Sequence, residues 1–200
     1  MREQSTREAV LATAVAMAGA GFATGSSGNV SARLGDRVWI TASGIPYGKL
    51  SAEQIIEIDL EGTRVSGEGD PSSEWRMHAA IYAARDDVQA IVHTHSPIAT
   101  AAAIALTCLP IPHDEGRILF GDELPISAHC PPGTWELANA VADALGAGRA
   151  ALIAKHGAVG VGRTLDEAFE VAVKIEEIAH LYLLSRQFAS IYRLPNEGTP

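Results

Sequence analysis

Apolar residues recur at helical spacing in two long stretches of the chain. Between Val10 and Ala18 they fall every three or four positions, which predicts an amphipathic helix over about 6–20. Between Ala168 and Leu181 the same spacing predicts a long helix over about 164–190. Each of the two segments therefore offers one apolar face to a core.

Short apolar runs between these helices predict β-strands. The runs lie at about 28–34, 37–42, 55–60, 88–93, 124–128, 151–154 and 159–161. Helices are predicted between them at about 72–85, 97–106 and 134–145. Strands and helices mix along the chain, which indicates an α/β layer fold. No repeat or long linker interrupts this order, so we expect a single domain over residues 1–200.

The composition is that of an ordinary globular protein, with 47% apolar and 20% charged residues. Lys and Arg number 15 against 24 Asp and Glu, and the formal net charge is -9. This balance argues against nonspecific binding to nucleic acid or to anionic membranes. A phosphate-bearing substrate is still compatible with it, because backbone N–H groups can cradle phosphate without net positive charge.

Two features bear on the cellular compartment. Cys108 and Cys130 form no disulfide framework and have no metal-ligand spacing, which indicates a reducing compartment. The apolar stretch 9–21 faintly resembles a signal peptide, but Glu3 and Glu8 interrupt its basic start, and it is too short to span a bilayer. We therefore expect a cytoplasmic protein that binds no membrane.

His93 and His95 stand at the end of the short buried strand predicted over about 88–93. Side chains alternate along a strand, so both imidazoles point to the same face. By itself such a pair is more typical of solvated or hydrogen-bonded histidines. A third histidine, His156, can complete a metal site with them. Three neutral imidazoles suit a divalent metal, usually zinc, and leave one coordination position for substrate.

Ser72, Ser73 and Glu74 stand at the start of the helix predicted over about 72–85. Hydroxyls and free backbone N–H groups at a helix start form an anion site, which the helix dipole strengthens. Taken alone, the three residues are more typical of helix capping. His78, one turn into this helix, has no spacing to the other histidines, and we interpret it as structural.

Two turns rich in glycine and hydroxyl side chains, at 24–31 and 41–44, adjoin predicted strands. Glycine lets the backbone approach a ligand closely, and successive N–H groups can hold a phosphate. Each turn by itself is more simply explained as a hairpin. The motif Gly-x-Gly-x-x-Gly is absent, so a dinucleotide-binding fold has no support.

Together, five motifs resemble the class II aldolase/adducin family, and among its members the L-fuculose-phosphate aldolases. They are Gly-Asn-x-Ser from Gly28, Thr-x-Ser-Gly from Thr41, Pro-Ser-Ser-Glu from Pro71, His-x-His from His93 and Lys-His-Gly from Lys155. The resemblance covers about residues 5–190. It implies a single α/β/α domain around a mostly antiparallel central sheet. It also implies a homotetramer with active sites at subunit interfaces.

The resemblance implies a role for each matching position. His93, His95 and His156 would bind Zn²⁺, although three histidines also accept Mn²⁺, Co²⁺ or Fe²⁺. Glu74 would be the catalytic acid/base and would touch the metal before substrate binds. The substrate phosphate would be held by Gly28, Asn29, Ser43, Gly44, Ser72 and Ser73.

The activity implied is zinc-dependent cleavage of a ketose 1-phosphate, such as fuculose 1-phosphate, to dihydroxyacetone phosphate and an aldehyde. Zinc would act as the Lewis acid that stabilises the enediolate, so no Schiff-base lysine is needed. Glu74 would move the proton on the carbon that becomes C3 of dihydroxyacetone phosphate.

The loop over 111–117 departs from the family pattern, because it lacks the tyrosine that fuculose-phosphate aldolases use to protonate the aldehyde oxygen across a subunit interface. We hypothesise that His113, Asp114 or Glu115 lines the aldehyde pocket from a neighbouring subunit. The alternative is a charged loop that only packs at an interface.

Other functions within the family stay open. A metal-dependent decarboxylase of a 3-oxo-tetronate 4-phosphate would use the same residues, with Arg117 as a candidate partner for the extra carboxylate. A pentulose-phosphate 4-epimerase is less favoured, because that branch resembles Ser-Ser-Asp where this chain has Ser-Ser-Glu at Glu74. A methylthioribulose-phosphate dehydratase is a further alternative. A non-catalytic adducin-like module is the least favoured, because such modules lack the intact metal set.

Overall fold

A central antiparallel sheet carries the functional residues in the computed structural model, which describes residues 2–192. Residues 1 and 193–200 of the expected domain lie outside the described residues. The sheet contains β1 (Asn29–Leu34), β2 (Arg37–Thr41), β3 (Ile55–Ile58), β4 (Arg64–Ser66), β5 (Ala90–Thr94), β8 (Ala150–Ile153) and β9 (Gly157–Gly162). Their order across the sheet is β4-β3-β2-β1-β5-β9-β8, and every neighbouring pair is antiparallel. A separate two-stranded sheet pairs β6 (Cys108–Pro110) with β7 (Glu123–Pro125).

The helices cover this sheet in layers. They are α1 (Arg2–Gly19), α2 (Trp75–Ala84), α3 (Pro97–Ala105), α4 (Asp114–Phe120), α5 (Trp135–Leu145) and α6 (Leu165–Tyr192). α1 packs on β1 and β2 and also contacts α6, which packs on β9 and β5. α2 and α5 contact each other. The expected α/β/α fold with a mostly antiparallel sheet is therefore confirmed.

β5 lies between β1 and β9, and all five of its residues are buried. Its apolar residues Ala90, Ile91 and Val92 fit a strand that is covered on both faces. β9 is rich in glycine, which lets α6 approach its backbone. A Cβ atom added at Gly160 would lie 2.9 Å from the carbonyl oxygen of Ala168 and 3.0 Å from the amide nitrogen of Ala172. The long helix therefore rests directly on the strand that follows His156.

The helix predicted over about 72–85 begins later, at Trp75. Ser72 still belongs to extended backbone, because its N–H donates to the carbonyl oxygen of Thr41 at 3.0 Å, and Pro71 forms a β-bridge with Ala42. Ser72 and Ser73 therefore precede the helix instead of beginning it.

Two expectations about the remaining segments were wrong, and two short strands were missed. The loop predicted at 111–117 forms α4 from Asp114 onward. The strand predicted over about 124–128 ends at Pro125, because the next residue changes partner and Ile126 forms an isolated bridge with Leu152 of β8. β4 and β6 were missed, because three-residue strands are too short for a periodic pattern. No described helix is long and apolar enough to cross a membrane.

Candidate metal centre

Three histidines and one glutamate converge at one end of β5. His93 lies on β5, and His95 is the first residue after the strand. His156 lies in the turn between β8 and β9, which the pairing of β9 with β5 brings alongside. Glu74 immediately precedes α2. One donor atom from each of these four residues lies within 4.8 Å of all the others.

Hydrogen bonding fixes which nitrogen of His93 faces the other donors. The fully buried ring donates its Nδ1–H to the carbonyl oxygen of Ala158 at 2.9 Å, so Nε2 is the nitrogen that faces the other donors. That Nε2 lies 3.1 Å from Glu74 Oε2 and 3.0 Å from His95 Nε2. The third imidazole approaches the same carboxylate, with His156 Nε2 3.2 Å from Glu74 Oε1.

The four groups shift one another's pKa values. Burial alone would raise the pKa of Glu74, but the charges of His93 and His156 and hydrogen bonds from His93 and Asn29 hold it well below its usual range. Burial alone would lower the pKa of His93, yet the Glu74 carboxylate raises it overall. Burial and the two neighbouring rings lower the pKa of His95 to about 4. His95 is therefore neutral at neutral pH, as a metal ligand must be.

These donors fit a divalent metal ion. Glu74 Oε1 is buried and has no hydrogen-bond partner among the described residues. Two imidazole nitrogens face each other at 3.0 Å, an arrangement that a shared cation stabilises. Three imidazole nitrogens and one carboxylate oxygen form a donor set that zinc accepts, with the carboxylate as the ligand most easily exchanged for substrate.

A cavity of about 470 Å³ opens beside these donors. All six residues that the family resemblance assigns to phosphate binding line it: Gly28, Asn29, Ser43, Gly44, Ser72 and Ser73. Glu74, His95 and His156 line the same cavity. The structure therefore brings the proposed phosphate cradle and the metal donors together, although their roles stay predictions.

Asn29 has a different position from the one that phosphate binding suggests. Its side chain is buried, with Nδ2 donating to Glu74 Oε2 at 3.0 Å and Oδ1 accepting from His78 Nε2 at 2.5 Å. The amide is therefore committed to the carboxylate, and any contact with phosphate falls to the backbone. This contact was missed because Asn29 and Glu74 belong to separate motifs.

The sequence assigned no role in the site to the other residues that line the cavity. They are Ser26, Ser27, Ala42, His129, Cys130, Pro132, Ala154 and Lys155. The serines lie in the glycine-rich turn 24–31, so that turn already pointed to them. His129 and Cys130 come from the segment between β7 and α5, which carries no motif. Lys155 has a left-handed backbone with φ 58°, uncommon for a residue other than glycine, and it directly precedes His156.

The residues expected on the aldehyde side lie elsewhere in the chain. His113 precedes α4, Asp114 begins it, and Glu115 accepts a hydrogen bond from Lys174 Nζ at 2.7 Å. Among the described residues, none of these three lines the cavity of its own chain. Their contribution to a neighbouring subunit's site stays a prediction.

Comparison with known proteins places the chain in a family. Residues 8–183 match the family model of the class II aldolase and adducin N-terminal domain, so the chain belongs to this family. A 5-methylthioribulose-1-phosphate/5-deoxyribulose-1-phosphate aldolase of Rhodospirillum rubrum is 39% identical over 175 residues, covering 88% of this chain and 79% of the relative. The L-fuculose phosphate aldolase of Escherichia coli K12 is 36% identical over 183 residues, covering 92% of this chain and 85% of the relative.

The structural comparison agrees with the sequence comparison. A solved L-fuculose 1-phosphate aldolase superposes with a TM-score of 0.88 at 31% identity, covering 96% of this chain and 92% of that chain. Within the family, the protein is a class II, metal-dependent aldehyde-lyase.

Proposed function

We propose that the protein is a zinc-dependent aldolase that cleaves a ketose 1-phosphate to dihydroxyacetone phosphate and an aldehyde. The observation that supports this best is the position of Glu74. Its carboxylate contacts Nε2 of both His93 and His156 at 3.1 and 3.2 Å, and it lines the cavity that the proposed phosphate cradle also lines. An acid/base group, a metal site and an anion site are thus within reach of one small substrate.

His93, His95 and His156 would hold the ion. When bound, the ion would supply Lewis acidity for the negative charge that develops on the substrate's C2 oxygen as the C3–C4 bond breaks. The Nδ1–H of His93 is anchored on the Ala158 carbonyl, so this ring is held in place with Nε2 facing inward.

Glu74 would exchange the proton at C3. Cleavage leaves the bonding electrons on C3, which gains a proton to give dihydroxyacetone phosphate, while the hydroxyl on C4 loses one to become the aldehyde. The low pKa of Glu74 keeps it ionised, as removal of the C3 proton in the condensation direction requires. Exchange of the carboxylate away from the metal donors would free it for this step.

The phosphate would bind at the other residues of the cavity. Ser43 and Ser73 are exposed there, and Ser72 Oγ accepts from the Glu74 N–H at 3.3 Å. Hydroxyls and backbone N–H groups would hold the phosphate without any arginine, in keeping with the acidic chain. Remote binding of this kind positions the reacting end of the substrate.

The sugar is proposed as fuculose-1-phosphate-like. The two relatives are named for fuculose phosphate and for 5-methylthio- and 5-deoxyribulose 1-phosphates. These substrates all keep the phosphate and the ketone and differ at the aldehyde end. The unassigned aldehyde side is therefore the part of this protein that selects among them.

We propose that the aldehyde side is completed by a neighbouring subunit of a homotetramer. α4, which carries Asp114 and Glu115, also exposes 85% of the Ile118 side chain and 38% of Leu119. Apolar exposure of this kind beside charged residues fits a protein interface. Light scattering of the purified protein tests the assembly, and a monomer that retains full turnover would contradict it.

A decarboxylase of a 3-oxo-tetronate 4-phosphate is the second candidate. Lys155 lines the cavity beside His156 and offers a cation for the extra carboxylate of such a substrate. Arg117, the candidate suggested by the sequence, donates to the carbonyl oxygen of Ile111 at 3.2 Å and does not line the cavity.

Release of dihydroxyacetone phosphate decides between these functions. The panel contains fuculose, rhamnulose, ribulose, 5-deoxyribulose and 5-methylthioribulose 1-phosphates, with metal content measured on the same sample. Release that disappears in Glu74→Gln and after chelation supports the aldolase. No release from a metal-loaded protein would refute it, and carbon dioxide release from 3-oxo-tetronate 4-phosphates would then establish the decarboxylase.

A further inference from the structure

A chain of buried hydrogen bonds runs from the hydroxyl of Tyr82 to the carboxylate of Glu74. Tyr82 Oη lies 2.7 Å from Ser31 Oγ, which lies 2.6 Å from His78 Nδ1. His78 Nε2 lies 2.5 Å from Asn29 Oδ1, and Asn29 Nδ2 lies 3.0 Å from Glu74 Oε2. All five residues are buried, and Ser31, His78 and Tyr82 have no exposed surface.

Helix α2 and strand β1 supply the side chains of this hydrogen-bond chain at matching intervals. Glu74, His78 and Tyr82 follow one another at intervals of four, so they lie along one face of α2. Asn29 and Ser31 are two residues apart and share a face of β1. The strand side chains thus alternate with the helix side chains along the chain of hydrogen bonds.

The carboxylate fixes the direction of every hydrogen bond in the chain. Ionised Glu74 only accepts, so Asn29 must present its Nδ2 to Glu74 and its Oδ1 to His78. His78 must then donate from Nε2. Because the ring is fully buried, it is held in its neutral form, and Nδ1 accepts from the Ser31 hydroxyl. With its proton used there, Ser31 accepts from Tyr82. The imidazole is therefore a neutral ring with both nitrogens occupied.

We propose that His78 is a positioning residue for Glu74. It holds the Asn29 amide in the single orientation that donates to the carboxylate, and so keeps Glu74 aimed at the histidines and the cavity. This inference rests on the proposed role of Glu74 as the acid/base.

Packing alone would not require a histidine at this position. The buried neighbours on the same helix, Met77 and Ile81, are apolar, and an apolar side chain is cheaper to bury than an imidazole. Without the donor at His78, the Asn29 amide is free to turn its Oδ1 toward Glu74. Two acceptors would then face each other, and the carboxylate would move away.

The first experiment compares kinetics of three variants. His78→Leu removes both hydrogen bonds, His78→Gln keeps a donor at the position of Nε2, and Ile81→Ala is a matched control in a fully buried position of the same helix. In His78→Leu we expect kcat to fall about 10- to 100-fold, the equivalent of one charge-assisted hydrogen bond, with KM little changed. His78→Gln should recover most of kcat, whereas Ile81→Ala should lose thermal stability and retain kcat.

The second experiment needs no activity. In the nitrogen NMR spectrum of the metal-free protein, His78 should show a protonated Nε2 and a bare Nδ1. The side-chain amide protons of Asn29 should be protected from exchange, and His78→Leu should abolish this protection. This readout separates the two proposals, because a wild-type protein that released no dihydroxyacetone phosphate would refute the aldolase and leave the positioning test intact.

Two results would overturn the positioning role. One is a kcat for His78→Leu that equals that of Ile81→Ala. The other is an Asn29 amide whose exchange is the same in wild type and in His78→Leu.

Discussion

Replacement of Gly28 by alanine should damage the metal site through the backbone of a ligand. Gly28 has φ 72°, in the left-handed region, where a residue with a Cβ costs about 1–2 kcal/mol. The added Cβ would also lie 2.6 Å from the carbonyl oxygen of His93, closer than real Cβ atoms approach backbone. Because Asn29 pairs with His93 across β1 and β5, the clash can be relieved only by opening that pair or by shifting His93.

A matched control separates conformation from collision. Gly35 has φ 62°, and a Cβ added there would meet nothing within 4 Å. Gly35→Ala should therefore lower the free energy of unfolding by about 1–2 kcal/mol, the left-handed cost alone. Gly28→Ala should lose about 1–3 kcal/mol more, the usual cost of overpacking a filled site.

Urea unfolding measures the two losses, and competition with a chelator measures metal affinity. Gly28→Ala should also weaken metal binding, by about tenfold for each 1.4 kcal/mol of strain that is relieved by moving His93. Gly35→Ala should leave the affinity at the wild-type value. Equal losses of stability in the two variants, with equal metal affinity, would refute the reasoning.

Four further predictions concern the site and its supports. Chelation should abolish turnover and lower the melting temperature, because an ion that binds only the folded state stabilises it; scanning calorimetry with and without zinc checks this. In the metal-free protein the free energy of unfolding should fall as the pH drops below 4.5, because folding lowers the pKa of Glu74 from that value. Its contribution is complete above 4.5 and is lost as the pH falls through the lowered pKa of the folded state. Urea unfolding at several pH values should show a flatter acid limb for Glu74→Gln. Glu176 accepts from the first N–H groups of α3 at 2.9 and 2.7 Å, so Glu176→Ala should cost about 1–2 kcal/mol in urea unfolding, the range for a lost helix cap. Arg76 stacks on Trp75 and donates to the Gly133 carbonyl at 3.1 Å, beside the segment that lines the cavity. Because Arg76 supports the cavity wall and not the metal donors, Arg76→Leu should raise KM more than it lowers kcat in steady-state kinetics.

Each of these has an outcome that contradicts it. A chelated protein with unchanged melting temperature would argue against a resident metal. Parallel acid limbs for wild type and Glu74→Gln would show that the carboxylate makes no special contribution in the folded state. Wild-type stability of Glu176→Ala, or a wild-type KM for Arg76→Leu, would show that the corresponding hydrogen bonds are dispensable.

The sequence predicted most of the sheet and the long helices, because their apolar residues are periodic. It also predicted that His93, His95 and His156 converge. The spacing along the sequence indicates this for His93 and His95 but not for His156. That step came from the family resemblance. Ser72 is the instructive exception, because a serine before a helical pattern looks like a cap. The bridge between Pro71 and Ala42 and the hydrogen bond from the Ser72 N–H to Thr41 keep it extended.

The contacts of Asn29 and Lys155 could not be predicted in the same way. Asn29 bonds to Glu74 and His78, which lie on another element, and the strand register decides that meeting. Lys155 reaches the cavity through an unusual backbone angle, which propensities do not indicate. The α4 segment was missed because seven residues give little periodicity.

The close contact between β9 and α6 has a consequence for how the metal preference of this enzyme could change. His156 directly precedes the first residue of β9. At Gly160 the backbone of β9 closely approaches that of α6. A side chain at Gly160 would push helix and strand apart and thereby tilt the strand that supports His156. Laboratory selection for a different ion should therefore find substitutions along this helix–strand seam as well as among the ligands, since the seam adjusts the coordination geometry without altering its chemistry.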